Sequence, residues 1–255
     1  MICTEETLNS LSRKDLTEAL CFMDDCLKCE NDREFDSLLR DFGSYLGFEY
    51  VLCCYMHSTY RRANKVNILN ISNPAEWMDE YEKENYVQDD PVRYELEQRL
   101  SNNETVSFIH WDEYERSLSP KELQIIERRR HYGLNYGCSV YTNSQSKDFT
   151  FLISLADKEK EVDRRTEILS TLLIQHMMNA KKRLDTTALV NALTKREKSV
   201  ADWILDGKTN WEIAAILNIS ENTVKYHVKN IYIKLKVSGR QEAIAVMLAV
   251  RYLSL

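Results

Sequence analysis

The sequence predicts an α+β protein in two parts: an N-terminal α/β/α sandwich and a small all-α C-terminal domain. Three observations predict it. Charge divides the chain. Of 34 Lys+Arg and 40 Asp+Glu, residues 190–255 hold 10 and 6, a net of +4, and the residues before them hold 24 and 34, a net of −10. Apolar residues after Leu193 recur only at helical spacing, between cap residues. Before Leu193, apolar runs of strand length alternate with amphipathic helical stretches. A length of 255 residues suits two domains at roughly 150 residues each. Only 6 Gly and 3 Pro point to a globular, helix-rich chain.

The start, MICTEETLNSLSRKD, has no basic region and no apolar core, so no signal peptide is expected. No stretch approaches the ~20 apolar residues of a membrane helix, so no membrane partner is expected. The 7 cysteines are odd in number and suit free thiols in a reducing cytoplasm. Cys21, Cys26 and Cys29 are close together, but no His or Cys pair follows at zinc-site spacing, so no metal is expected.

In order, Leu11 to Cys29 predicts an amphipathic helix. Asp32 to Gly47 predicts a second, with Phe35, Leu38, Leu39, Phe42 and Leu46 on one face and Gly47 as its stop. Tyr50 to Met56 is a continuous apolar run of strand length, and Val66 to Ile71 is placed to pair with it. Asn73-Pro74 opens a helix through Tyr86, and Asp90-Pro91 opens another to about Leu100. A loop holds Trp111. Pro120 starts a helix that ends near Gly133. Tyr136 to Tyr141 and Phe149 to Leu155 are strands. Lys158 to about Thr187 is one long helix with Val162, Ile168, Leu172, Leu173 and Met177 inward. Helices around a mostly antiparallel sheet make this a GAF/PAS-like sandwich. That fold by itself assigns no function.

After it, Thr194 with Glu197 forms a capping box, and Gly207 stops the helix that follows. Thr209 or Asn210 caps a second helix with an apolar face at Ile213, Ala214, Ile216 and Leu217. Ser220 caps a third, with one stripe of Val224, Val228, Ile231 and Leu235. Its other side carries Asn222, Lys225, Tyr226 and Lys229. Lys225 and Lys229 share a direction. Such a face reads either as solvated charge or as a recognition helix, in which lysine donates to guanine and asparagine pairs with adenine.

This stretch resembles the LuxR-type helix-turn-helix of the NarL/FixJ class. The matching residues are Leu193-Thr194, Arg196-Glu197, Trp203, Gly207-Lys208-Thr209, Glu212-Ile213-Ala214, Leu217, Ser220, Thr223-Val224, His227, Asn230-Ile231, Lys234-Leu235 and Arg240. The resemblance implies that Lys225 and Lys229 face bases; Asn222 is added to them as a DNA-binding candidate from its place on the same helix side. It implies that Trp203, Lys208 and Thr209 hold phosphates.

In the first part, Trp77, Tyr81, Asp90, Pro91, Trp111, Gly133 and Gly137 stand out. Trp77 and Tyr81 lie one helical turn apart. Asp90 starts a helix, where it can cap or point into a cavity. Singly, these are two core aromatics, an N-cap and two turn glycines. Together, two donors and an acceptor in an apolar setting suit a ligand amide flanked by carbonyls. Their spacing is similar to the autoinducer-binding domain of LuxR-type quorum-sensing receptors, over roughly residues 34–157. The resemblance implies an N-acyl-homoserine lactone as regulatory ligand, with no cofactor. Trp77 would donate to the lactone carbonyl and Asp90 accept the amide N–H. Tyr81 and Trp111 would wall the pocket, Ser154 would sit near the amide carbonyl, and Gly133 and Gly137 would be structural. By strand alternation, Leu52, Cys54 and Met56 would line the acyl end. Two positions depart from many relatives: Asn73 stands in place of a tyrosine and Arg93 in place of an apolar residue.

The expectation is a cytoplasmic, ligand-responsive transcription regulator and not an enzyme. Residues 1–183 would bind ligand and dimerise, 184–192 would link, and 193–255 would bind DNA. A homodimer would form through the long helix and through the last helix, Gln241 to Tyr252. That helix has an apolar face of Ala243, Ile244, Met247 and Leu248, with Leu253 just beyond. Two-fold symmetry then predicts an inverted-repeat promoter site. The alternative is a solo regulator that senses a non-lactone molecule. A phosphorylated receiver would need βα alternation, which is missing from the sequence. An enzyme would need a nucleophile–base pair, a phosphate loop or a metal set, and none is seen.

Overall fold

The computed structural model describes residues 4, 9–57, 66–102, 104–114, 116–144 and 149–253, with backbone alone at 57 and 251–253. Contacts divide the chain into residues 1–180 and 181–255.

The first unit opens with α1 (Arg13–Lys28) and α2 (Asp32–Leu46). Ser12 and Asp15 form a capping box that starts α1. Asp15 also accepts from Tyr45 Oη and Arg165 Nε, each at 2.7 Å, tying α1 to its neighbours. Burial alone would raise the Asp15 pKa, but these bonds hold it well below the usual carboxylate range. Gly47 ends α2 at φ 87°, a left-handed conformation that glycine adopts without strain.

Five strands follow: β1 (Tyr50–His57), β2 (Asn67–Asn70), β3 (Val106–His110), β4 (Tyr136–Asn143) and β5 (Phe149–Asp157). They form one antiparallel sheet in the order β2-β1-β5-β4-β3. One face packs on α2, where Phe35 meets Phe151 edge-on at 6.2 Å. The other face receives α3 (Ala75–Lys83), α4 (Pro91–Ser101) and α5 (Pro120–His131). A single 3-10 turn, Tyr86–Gln88, joins α3 to α4. These two layers on one sheet make the expected sandwich.

β3 lies where a loop was expected before Trp111. Its apolar residues, Val106, Phe108 and Ile109, fall on both faces, so alternation does not reveal it. Pairing with β4 makes it an edge strand, and Arg99 of α4 adds a bond to the Phe108 carbonyl. The long helix, α6, also differs, running Arg164–Asn191. It starts late because Asp157 accepts the N–H groups of Glu159 and Lys160, and Asp163 then caps through Thr166 N at 2.8 Å. It ends late because no glycine or proline interrupts 184–191, so most of the expected linker is helical.

The second unit contains α7 (Lys195–Leu205), α8 (Asn210–Leu217), α9 (Glu221–Leu235) and α10 (Arg240–Leu253). Val200, Ile204, Ile213, Val224, Ile231 and Leu235 fill its core. Ala243 and Met247, expected on a dimer face, are buried in that same core. Three short helices leave too little apolar surface without them. Ile244 and Leu248 remain half-buried, and Leu253 lies outside the described side chains.

Candidate functional site

The sheet face under α3, α4 and α5 gathers the expected ligand residues. Trp77 on α3 is 6% exposed. Its ring meets Tyr81 at 5.6 Å, Tyr86 at 5.9 Å and Tyr132 at 5.7 Å. Its indole N–H has no hydrogen-bond partner among the described residues. Asp90 does both things its position allows. Oδ1 caps α4 through Val92 N at 2.8 Å, and Oδ2 accepts from Tyr81 Oη at 2.6 Å. Burial and the Asp90 charge push the Tyr81 pKa well up, so the phenol stays protonated. The Tyr81 hydroxyl, expected as a second free donor, is therefore already engaged. Trp77 is left as the open donor of the set.

Trp111 is 8% exposed and packs in the same cluster as Trp77. A Cβ at Gly137 would lie 2.4 Å from Trp111 Cε3, which is why only glycine fits there. Trp111 Nε1 donates to Ser139 Oγ at 2.8 Å, and Ser139 pairs with Ser154 Oγ at 2.7 Å. When Ser139 donates to Ser154, the Ser154 hydrogen is free to turn toward a carbonyl. Leu52 lies directly opposite Ser154 across the β1–β5 pair, so the two share a face. Cys54 and Met56 continue that face along β1. Burial raises the Cys54 pKa to about 12, so it is a neutral, apolar wall.

Several residues of this site carried no signal in the sequence. Ser139 joins Trp111 to Ser154, and only strand register brings it there. Glu80, one residue before Tyr81, accepts from Arg128 Nε at 2.7 Å, Tyr132 Oη at 2.7 Å and Tyr86 Oη at 3.1 Å. It thereby fixes two of the rings that cover Trp77. The Arg128 bonds hold the Glu80 pKa down at about 2. Arg93, a departure noted above, spends donors on Glu97 and on the Val87 carbonyl. Asn73 closes a turn with Asn70.

In the second unit, Ser220 caps α9, and Asn222, Lys225 and Lys229 are exposed along it. Lys225 pairs with Glu221 at 2.8 Å. Thr209 and Glu212 form a capping box at the start of α8, in which both the Thr209 hydroxyl and its backbone N–H donate to Glu212. Lys208 is half-buried and lies 3.8 Å from Glu212. Trp203 packs partly against the core. Two exposed aromatics flank this surface, Trp211 at 69% and Tyr226 at 63%. Trp211 has a signal in the sequence, an aromatic on the polar side of a capped helix. Glu197, buried at the start of α7, takes Lys234 Nζ at 2.7 Å. Burial would raise its pKa, but this bond and the Thr194 cap lower it.

Comparison with known proteins agrees with this division. Residues 31–180 match the family described as "Autoinducer binding domain". Residues 191–247 match "Bacterial regulatory proteins, luxR family". The transcriptional activator protein LuxR of Aliivibrio fischeri strain ES114 is 28% identical over 228 residues, covering 85% of this chain and 87% of that one. The regulatory protein SdiA of Escherichia coli K12 is 28% identical over 205 residues, 77% of this chain and 80% of its own. A structure of SdiA in complex with octanoyl-rac-glycerol has the same fold, with TM-score 0.58 and 22% identity over 94% of this chain and 97% of that one. With an autoinducer-binding domain ahead of a LuxR-type helix-turn-helix, the chain belongs to the LuxR family of quorum-sensing transcription regulators.

Proposed function

We propose that this regulator binds an N-acyl-homoserine lactone within residues 1–183 and, as a homodimer, an inverted-repeat promoter site through residues 193–255. The observation that carries the reading is the unpaired Trp77 N–H beside the Tyr81–Asp90 pair. A lactone carbonyl suits the first and an amide N–H the second. Ser154, through Ser139 and Trp111, supplies a hydroxyl for the amide carbonyl. Tyr81 and Trp111 wall the head, and Leu52, Cys54 and Met56 line the chain. Lys225, Lys229 and Asn222 read bases, while Trp203, Lys208 and Thr209 contact phosphates. Dimers form through the half-buried apolar residues left on α10, Ile244 and Leu248, and through α6.

A ligand that becomes part of the core stabilises the fold by mass action, about 2.7 kcal/mol at a hundredfold excess over Kd. The first test is thermal melting against lactones of varied chain length and 3-position oxidation, with octanoyl glycerol as a non-lactone control. A rise with one subset of lactones supports the proposal. A rise with the control alone supports the solo reading, which Asn73 and Arg93 keep open. Asp90→Asn keeps the cap oxygen and loses the charge. It should weaken lactone binding about ten- to hundredfold, the worth of a hydrogen bond to a charged group. Unchanged affinity in a titration would exclude Asp90 from the pocket.

A further inference from the structure

The exposed side of α9 carries more than the amide and the two lysines used above. Tyr226 is 63% exposed and Ile233 is 64% exposed. The stripe Val224, Val228, Ile231 and Leu235 is buried along one side of the helix. At ~100° per residue, Tyr226 and Ile233 fall on the side directly opposite that stripe. They are seven residues apart, two helical turns, so they stand in one line along the axis. Exposed Asn222 continues that line one turn before Tyr226. Exposed Lys225 and Lys229 stand on one flank of it, and exposed Lys236 follows at the C-cap.

Packing within the unit does not account for the pair. Both side chains point away from its core, and Tyr226 meets the ring of its neighbour His227 at 5.6 Å. Single exposed apolar residues are ordinary. Two in line, on a surface otherwise built of lysine and amide, suit a partner that is a polyanion with apolar groups set inside it. The major groove of duplex DNA has that composition. Phosphates run along its walls, and the 5-methyl of thymine is the apolar group among its base edges. Cations placed along the whole length of α9 suit a helix that lies along the groove.

We infer that Tyr226 and Ile233 each hold a thymine 5-methyl group, which makes them specificity-determining residues beside Lys225 and Lys229. This rests on α9 being the base-reading helix. Seven residues rise about 10.5 Å, which is roughly three base-pair steps of ~3.4 Å. Each half of the promoter site therefore carries two A·T pairs at about that separation, with their methyl groups toward α9.

The test starts from duplexes that the full chain selects out of a randomised pool, with acyl-homoserine lactones present and absent. In the best duplex, each thymidine is replaced in turn by deoxyuridine, which removes only the methyl. Two positions in each half-site, roughly three steps apart, should each weaken binding about fourfold, the worth of one buried methyl group. In Tyr226→Ala one of these effects should vanish, and in Ile233→Ala the other. Tyr226→Phe keeps the ring and should keep both. The mapping on the unaltered chain carries the test if a variant does not fold. Uracil effects at no position, at one position alone, or unmoved by folded alanine variants overturn the pair and leave α9 as the reading helix. Unmoved effects with a changed oligomeric state would assign the strip to a second copy of the chain. Selection of no sequence under either condition overturns both readings.

Discussion

Trp77 and Lys229 mark two ways of building the proposed binding surfaces. Trp77 is 6% exposed and three aromatic rings surround it. The rings come from α3, the 3-10 turn and the residue after α5. Lys229 is exposed on one helix whose own cap and core stripe set its direction. The proposed ligand residues therefore hold one another in place, and losing one should disturb stability and binding together. The residues proposed to face DNA are held by local backbone, so losing one should disturb binding alone.

The sharpest way to break this contrast is Trp77→Ala. Truncating a buried indole should destabilise the chain by about 3–5 kcal/mol, read from urea unfolding. A loss below about 1 kcal/mol would mean the rings do not form a packed unit. Lys229→Ala should remove about 1–3 kcal/mol of operator affinity while fold stability stays within about 0.5 kcal/mol. If the loss falls on one base position, Lys229 reads that base. If it is uniform over sequences, Lys229 contacts phosphate.

Glu80→Gln tests whether the ring cover depends on one carboxylate. Glu80 has a folded pKa of about 2, below its ordinary 4.5. Its ionised form therefore adds stability that is fully present above about pH 4.5 and is lost as pH falls through 2. The variant should be less stable at neutral pH by roughly 1 kcal/mol, and the two melting curves should converge toward pH 2. A constant gap across that range would assign the loss to packing. Glu221→Gln should be mildest. It releases Lys225 from an exposed pair worth about 0.2–0.5 kcal/mol, and removing an anion beside phosphate should tighten DNA binding slightly. Weaker operator binding in a gel-shift titration would give Glu221 a direct role in recognition.

Much of the second unit is legible in its sequence. Thr194–Glu197, Thr209–Glu212 and Ser220 cap three helices at the places their residue types indicate. The stripe Val224, Val228, Ile231 and Leu235 is buried as its spacing predicts. The last helix is the exception. Its apolar face was legible, but whether Ala243 and Met247 faced a partner or their own core was not, because both would leave the same pattern. In the first unit, Tyr81 and Asp90 were legible as candidates, and their mutual hydrogen bond was not.

Caps, glycine stops and apolar periods were determined by the sequence alone, because each arises between residues within about four positions of one another. The relay from Trp111 through Ser139 to Ser154, the edge strand β3 and the Glu80 hold on Tyr132 were decided only by tertiary structure. The three hydrogen-bonded pairs lie 28, 15 and 52 residues apart, β3 pairs with a strand roughly thirty residues on, and nothing local brings them together. Sheet register and helix packing do so, and they depend on the whole folded unit.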